Sequence, residues 1–382
     1  MSDMKKKKKR KKSRKFWVMV AELVVVIILL VVLILAIAGG GILGKMHFLD
    51  FNKEDAGSNE NLNEDVIKAM EGYTNIALFG LDNRQTGQIE NGGNSDVIMI
   101  ASINNKTKDI KLVSVYRDTT LNIGAQYGSA SNQGINKANS AYAYGGYKNA
   151  VQMLNANLDL NITDFVVVDW SAVSRTIDKL GGVEITLDSS EVKYINAYID
   201  DINRSLGTDA EHIYDAGTRE LNGVQATAYC RIRYTAGNDF RRASRQRIVL
   251  EAMLNRAKKA DIGTLTGIVN EIARDISTSF ELPELINLAK DVKSYNLVKT
   301  SGFPTYLNTS DMFHSCVVPL TLESNVKALH EFLFENEKYE ASETVKSISE
   351  TIIRLTGMDE NTKTDYDVSD YNDTVGKDNA FD

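Results

Sequence analysis

Phe16 to Ala38 is a run of 23 residues whose only charge is Glu22. About 20 apolar residues cross a bilayer core as a helix. Residues 1–15 hold ten Lys or Arg, running from Lys5 to Lys15, against Asp3 alone. Trp17 stands where an interfacial aromatic anchor would, and Glu22 is near enough to that end to reach the headgroups. A cleaved signal peptide would have a shorter apolar region and a small-x-small site, and no clear one precedes Lys45. The run therefore reads as an uncleaved anchor. Residues 1–15 form a basic cytoplasmic segment and 16–44 a single transmembrane helix. By the positive-inside rule, everything after about Lys45 lies outside the cell membrane.

The whole chain of 382 residues has a formal net charge of −7. Without residues 1–45 it keeps 33 basic and 49 acidic residues, a net charge of −16. Nucleic acid is excluded as a partner, because such binders need a basic footprint. The basic run beside the span instead sets topology and contacts anionic lipid. Two cysteines, Cys230 and Cys316, are too few for a disulfide framework, and the sequence leaves their pairing open.

Residues 45–73 are polar with few apolar repeats and read as an extracellular stalk ending in a short helix. Strand-like runs follow at 75–81, 96–103 and 110–115, with a hairpin turn expected over 104–109. Val151, Leu154 and Leu158 have helical spacing, "DFVVVD" (164–169) is a buried strand, and a helix and another strand flank Gly181-Gly182. The apolar positions of 244–259 give a helix with one core face. This mixture predicts an α/β domain over 74–340, a central mixed β-sheet covered by helices. Residues 341–382 are expected to be an acidic, largely disordered tail; 357–382 alone carry eight acids and two lysines.

Against this acidic background, residues 231–247 hold six arginines (231, 233, 241, 242, 245 and 247) and one acid, Asp239. A solvated helix face would interleave Glu and Lys at i,i+4. Arg instead offers the planar fork that grips phosphate bidentately. Asp82 and Asp96 flank strands, at positions where α/β sheets place ligands. Arg117 and Asp118 close the third strand, and Lys137, Asn139 and Tyr142 precede a helix. Singly, each has a plainer reading: turn former, cap, structural ion pair or helix start. Together, two carboxylates and several arginines suit a magnesium-bound pyrophosphate, with hard oxygens for the metal and guanidinium forks for the phosphates.

The wording and order of these blocks resemble a known family. "NIALFGLDNR", "SDVIMIASINNKTKDIKLVSVYRDT", "KANSAYAYGG", "FVVVDWSAVSRTIDKLGGVEITL" and "LNGVQATAYCRIRY…NDFRRASRQ" are similar to the LytR–CpsA–Psr domain, over residues 75–257. Asn94 departs from the Arg that many members carry, and Arg241 from a Gly. The resemblance implies a ligase of a Gram-positive-type envelope. It would take a teichoic acid, capsule or related glycopolymer linked through pyrophosphate to a polyprenyl lipid. It would join that polymer to peptidoglycan as a phosphodiester, releasing polyprenyl phosphate.

On this reading Arg117, Arg231, Arg233, Arg242 and Gln246, with Lys137, grip the pyrophosphate and stabilise its developing charge. Asp82 and Asp96 hold Mg²⁺, or Mn²⁺ in its place. Arg84, Asp239 and Arg245 orient those groups, and Asp118 is either a base or an ion-pair partner. Arg247 is expected on another helix face and to matter little. "VVVDW", the Val151/Leu154/Leu158 face and the 244–257 helix are the candidates to line a lipid slot. Alternatives in other classes are a regulator, a non-catalytic lipid-binding module and a pyrophosphatase. Fifteen residues cannot build a DNA-reading domain, which weighs against the first.

Overall fold

The computed structural model describes residues 47–59, 62–81, 93–235, 238–257 and most of 259–373. The expected cytoplasmic segment (1–15) and membrane span (16–44) lie outside the described residues, as do Asp82 and Arg84. Among the described residues no helix is long and apolar enough to cross a membrane.

In chain order the elements are β1 (His47–Phe48), α1 (Glu64–Met70), β2 (Tyr73–Leu81), β3 (Ser95–Asn104), β4 (Asp109–Val115), β5 (Thr120–Asn122) and β6 (Ile135–Lys137). Next come α2 (Ser140–Leu158), β7 (Asp164–Asp169), α3 (Trp170–Lys179), β8 (Val183–Leu187), α4 (Ser189–Leu206), β9 (Gly217–Leu221), α5 (Gly223–Arg231) and α6 (Asn238–Ala257). Then follow β10 (Ile276–Thr278), β11 (Asn296–Phe303), β12 (Leu307–Ser310), β13 (Cys316–Pro319), α7 (Leu322–Phe334) and α8 (Glu343–Thr356).

Seven strands form a mixed sheet in the order β1-β10-β7-β2-β3-β4-β11. Its centre pairs β2 parallel with β7 and antiparallel with β3, and β3 antiparallel with β4. Alternate residues of β2 serve opposite faces, as the two-residue period of a strand requires. Ile76 packs with α3 to α6, while Ala77, Phe79 and Leu81 pack with α2, α7 and α8. Both faces are covered, which is why these strands read as nearly unbroken apolar runs.

Local chemistry fixes the helix starts. Asp169 accepts from Ala172 N at 2.8 Å and caps α3. Asp188 and Glu191 form a reciprocal capping box on α4, and Asn222 and Gln225 form one on α5. The Gly145-Gly146 pair lies inside α2 as a kink, with Gly146 at φ 64°, a conformation that favours glycine.

Two expectations need correction. The stretch read as a stalk is part of the fold: β1 pairs with β10, and Leu49, Phe51, Val66 and Met70 are buried. The tail expected to be disordered from 341 instead carries α8, with Val345, Ile348 and Ile352 buried against α2 and α7. Further on, Thr364 donates to Leu307 O, and Val368 is buried. One carboxylate gathers the two extensions. Asp159, at the end of α2, accepts from Asn59 Nδ2 at 2.5 Å, Tyr339 Oη at 2.6 Å and Ser342 N at 2.9 Å.

Candidate active site

The strand directions bring the end of β2, the start of β3 and the end of β4 to one end of the sheet, since Leu81 pairs with Ser95 and Met99 with Ser114. Asp96 is the second residue of β3, and Arg117-Asp118 follow β4 directly. Backbone bonds hold this loop: Asn139 N donates to Arg117 O and Val317 N to Asp118 O, each at 2.9 Å. Tyr116 meets Phe240 edge-on at a centroid distance of 4.8 Å, which brings the first turn of α6 against the loop.

Two linked groups of charges result. In the first, Arg117 Nη1 pairs with Asp96 and Arg117 Nε with Asp118 at 3.3 Å, while Lys137 Nζ lies 3.0 Å from Asp118 Oδ1. In the second, Asp239 stands between Arg233 (3.2 Å) and Arg242 (2.9 Å). The Arg242 contact is off the N–H line, so among the described residues the buried Asp239 Oδ1 accepts no hydrogen bond. Burial works against the Arg117 charge, but Asp96, Asp118 and Asp239 outweigh it and raise its pKa. Burial pushes Arg242 down to about 10, with Arg117 and Arg233 repelling it and Asp239 opposing. Burial alone would raise Asp239; Arg242, Arg233 and Arg117 bring it below the ordinary carboxylate value instead. Four cations face three carboxylates. The cluster is net positive and partly buried, and burial first, with Arg117 and Arg233 adding to it, depresses Arg242; a bound anion would relieve this.

The remaining arginines of the run do other work. Arg245 is wholly enclosed, donating to Glu191 Oε1 (2.8 Å), Ile232 O (2.9 Å) and Thr235 Oγ1 (2.6 Å). It ties α6 to α4 and to the loop after α5, so it supports the site through the backbone. Arg241 pairs with Asp188 and Glu191. Arg231 pairs with Asp201 of α4 at 3.0 Å and lies over the Tyr198 ring. Arg247 is buried, donating to Ser114 Oγ at 2.8 Å and to Tyr371 O. Arg247 is thus held away from the cluster, and its buried charge gives it a structural role that the sequence did not reveal.

Gln246 is one helical turn beyond Arg242 and opens onto an apolar cavity of about 110 Å³. Val166, Val168 and Trp170 line it from β7 and the start of α3, and Val249, Leu250 and Met253 line it from α6. The "VVVDW" stretch and the 244–257 helix therefore face this cavity. Val151, Leu154 and Leu158 do not; they belong to the core on the other side of the sheet. Cys230, buried and held protonated by that burial with a pKa of about 12, also borders the cavity. No sequence signal marked Cys230 or the anchors Asp188, Glu191 and Asp201. Among the described residues no three His, Cys, Asp or Glu side chains cluster as a metal site.

A model of the LytR_cpsA_psr family matches residues 47–318. The chain belongs to this family. Its curated relatives include biofilm regulatory protein A of Streptococcus mutans, 28% identical over 64% of this chain and 60% of that protein. The chain thus spans less than two thirds of that relative's length. Two polyisoprenyl-teichoic acid–peptidoglycan teichoic acid transferases of Bacillus subtilis are each 26% identical: TagV, over 72% of this chain and 69% of the relative, and TagT, over 69% and 81%. Among solved structures, TagT bound to LI-WTA superposes with a TM-score of 0.52 at 23% identity, covering 71% of this chain and 93% of that one. TagV of B. subtilis superposes at 0.53 with 22% identity, covering 71% and 99%. These likenesses establish the family's mixed α/β fold for this chain.

Proposed function

We propose that the protein is a membrane-anchored phosphotransferase outside the cell. It would take a glycopolymer from a polyprenyl-pyrophosphate lipid and join it to peptidoglycan as a phosphodiester. The observation that carries this reading is the helical turn from Arg242 to Gln246, where a cationic cluster meets an apolar cavity. A charged head on an apolar chain is the ligand such a junction accommodates. The names of the relatives TagV and TagT, both teichoic acid transferases, support the same reaction class.

Arg117, Arg233 and Arg242, with Lys137, would hold the pyrophosphate oxygens, whereas Arg231, expected from the sequence to join them, is engaged with Asp201 instead. The acceptor hydroxyl oxygen bonds to the phosphorus next to the sugar, and the bond from that phosphorus to the bridging oxygen breaks. Polyprenyl phosphate departs, and the hydroxyl proton leaves with it. Arg242 and Arg117 would meet the charge gathering on the bridging oxygen. Asp118, engaged by both Arg117 and Lys137, acts as an orienting ion-pair partner.

Asp96, at the second position of β3 and paired with Arg117, offers the hard oxygen donor that a magnesium ion takes. Asp82 and Asp96 would hold it, and it would supply positive charge against the two phosphates. The decisive experiment incubates purified protein with lipid-linked glycan, with and without peptidoglycan. Glycan–peptidoglycan conjugate formed only with the acceptor supports transfer. Glycan phosphate released without acceptor would indicate a pyrophosphatase, and binding without turnover a lipid-binding module.

A further inference from the structure

The direction in which the chain enters the sheet bears on how the domain sits on its membrane. β1 runs parallel to β10, and β10 antiparallel to β7, with Ser277 opposite both His47 and Val167. β1 thus enters at His47, level with Val167, and runs on to the level of Val166, so its start is the end nearer Val168 and Asp169, where the sheet carries Asp96, Arg117 and Arg242. The opposite end holds the β3–β4 hairpin, about ten residues or ~33 Å away along β3.

Only nine residue steps separate Ala38, the last residue of the apolar run, from His47. Fully extended, they reach at most ~30 Å. To bring the hairpin end to the bilayer, this tether would first have to turn back along the sheet for ~20 Å, from the level of Phe79 to that of Tyr73. Leaving the fold directly at the cluster end needs no such detour.

The surface beside the cluster has the composition of an interfacial contact. Tyr234, next in sequence to Arg233, is 71% exposed, and its ring lies 6.0 Å from that of Tyr194 on α4. Lys193 sits over the Tyr194 ring at 5.2 Å, and the Arg233 side chain is 43% exposed. The exposed Tyr234, with the half-buried Tyr194, a lysine and an arginine beside it, suits the headgroup layer, where a ring meets the apolar boundary and a cation meets lipid phosphate.

We infer that the domain rests with its cluster end on the outer headgroup layer, seated through Tyr234, Tyr194, Lys193 and Arg233. The apolar cavity then opens toward the bilayer beside Gln246, and a lipid tail enters it without the pyrophosphate leaving the surface. This inference rests on the proposed anchoring of residues 16–44.

The test uses the full chain in bilayers containing headgroup-nitroxide lipid. Single cysteines at Tyr234→Cys, Lys193→Cys and Lys106→Cys carry an environment-sensitive fluorophore. Cys230 and Cys316 are buried, and labelling of the parent protein measures their background. The expected result is loss of fluorescence at 234 and 193 and none at 106, the exposed tip of the β3–β4 hairpin. Quenching at 106 alone, or equal quenching at all three, overturns the orientation while leaving the anchor intact. Protein recovered apart from the bilayers overturns the anchor, and the orientation with it.

Discussion

Arg245 Nε donates to Glu191 Oε1 at 2.8 Å, and neither side chain has any exposure to solvent. A buried pair adds little stability beyond a well-packed apolar substitute, but removing one partner strands the other charge. Arg245→Ala should cost ~3–5 kcal/mol in urea unfolding, since the buried Glu191 would keep only the longer 3.5 Å contact with Arg241 and the Asp188 N–H. Lipid binding per folded molecule should change much less, which separates Arg245 from the arginines that face the ligand. A wild-type unfolding midpoint combined with lost binding would reverse that assignment.

Arg242 should behave the other way. A charge-assisted contact to phosphate contributes roughly 1.5–3 kcal/mol, about tenfold or more in affinity. Arg242→Ala should lower both pyrophosphate-lipid affinity and transfer rate by that factor. Arg242→Lys should recover little, because an ammonium cannot form the bidentate fork. Calorimetric binding and single-turnover transfer, measured together, check both variants.

For Arg247→Ala the loss should appear in stability. Ser114 Oγ and Tyr371 O would lose their donor inside the protein, at a cost of ~2 kcal/mol or more. Thermal unfolding of this variant beside Arg242→Ala would tell a tether from a ligand contact. A midpoint equal to the wild type would contradict the buried role.

Asp96→Asn keeps the size and polarity of the side chain while removing its charge. Turnover should lose most of its Mg²⁺ dependence, and Arg117 should lose an ion-pair partner. Titrating Mg²⁺ against transfer rate reads this directly. Undiminished turnover in chelator would reject the metal assignment.

Acid should unfold the domain partly through His330. Its Nε2 faces Leu158 O at 2.9 Å and so carries the proton, while the buried Nδ1 has no partner among the described residues. Burial pushes its pKa down to about 4. An unfolded histidine takes up a proton near pH 6.5. Between these values the unfolded chain binds more protons than the folded one, so stability falls as pH falls, by ~3 kcal/mol in all. His330→Gln should be less stable near neutral pH but have a flatter profile between pH 6.5 and 4. Urea midpoints across that range would measure the difference in slope.

Much of this arrangement was legible because it is local. The apolar runs of β2, β3, β4 and β7 and the periodicity of α6 depend only on neighbouring residues. What separates Arg242 from Arg245 is not local. Both are arginines on one helix, and their acids differ: Asp239 is three residues from Arg242, whereas Glu191 is 54 residues from Arg245. No spacing rule within residues 231–247 reveals the distant partner. The α8 helix did have local signals, with Ser342 as its cap, Val345, Ile348 and Ile352 in helical register, and Gly357 at its end. The acidity of the surrounding segment masked them. Likewise β1 is two residues long, too short for any periodicity to show.

The carboxylate of Asp159 works as a clasp closed by both ends of the domain, with Asn59 fastened from one side and Tyr339 and Ser342 from the other. A fragment cut at 74–340 would remove Asn59 and Ser342 together. The buried carboxylate would keep only the Tyr339 hydroxyl of those three partners, beside the bare apolar seat of α8. Shortening either extension thus weakens the fastening of the other, and in this chain the segments outside the sequence motifs determine whether the fold stays closed.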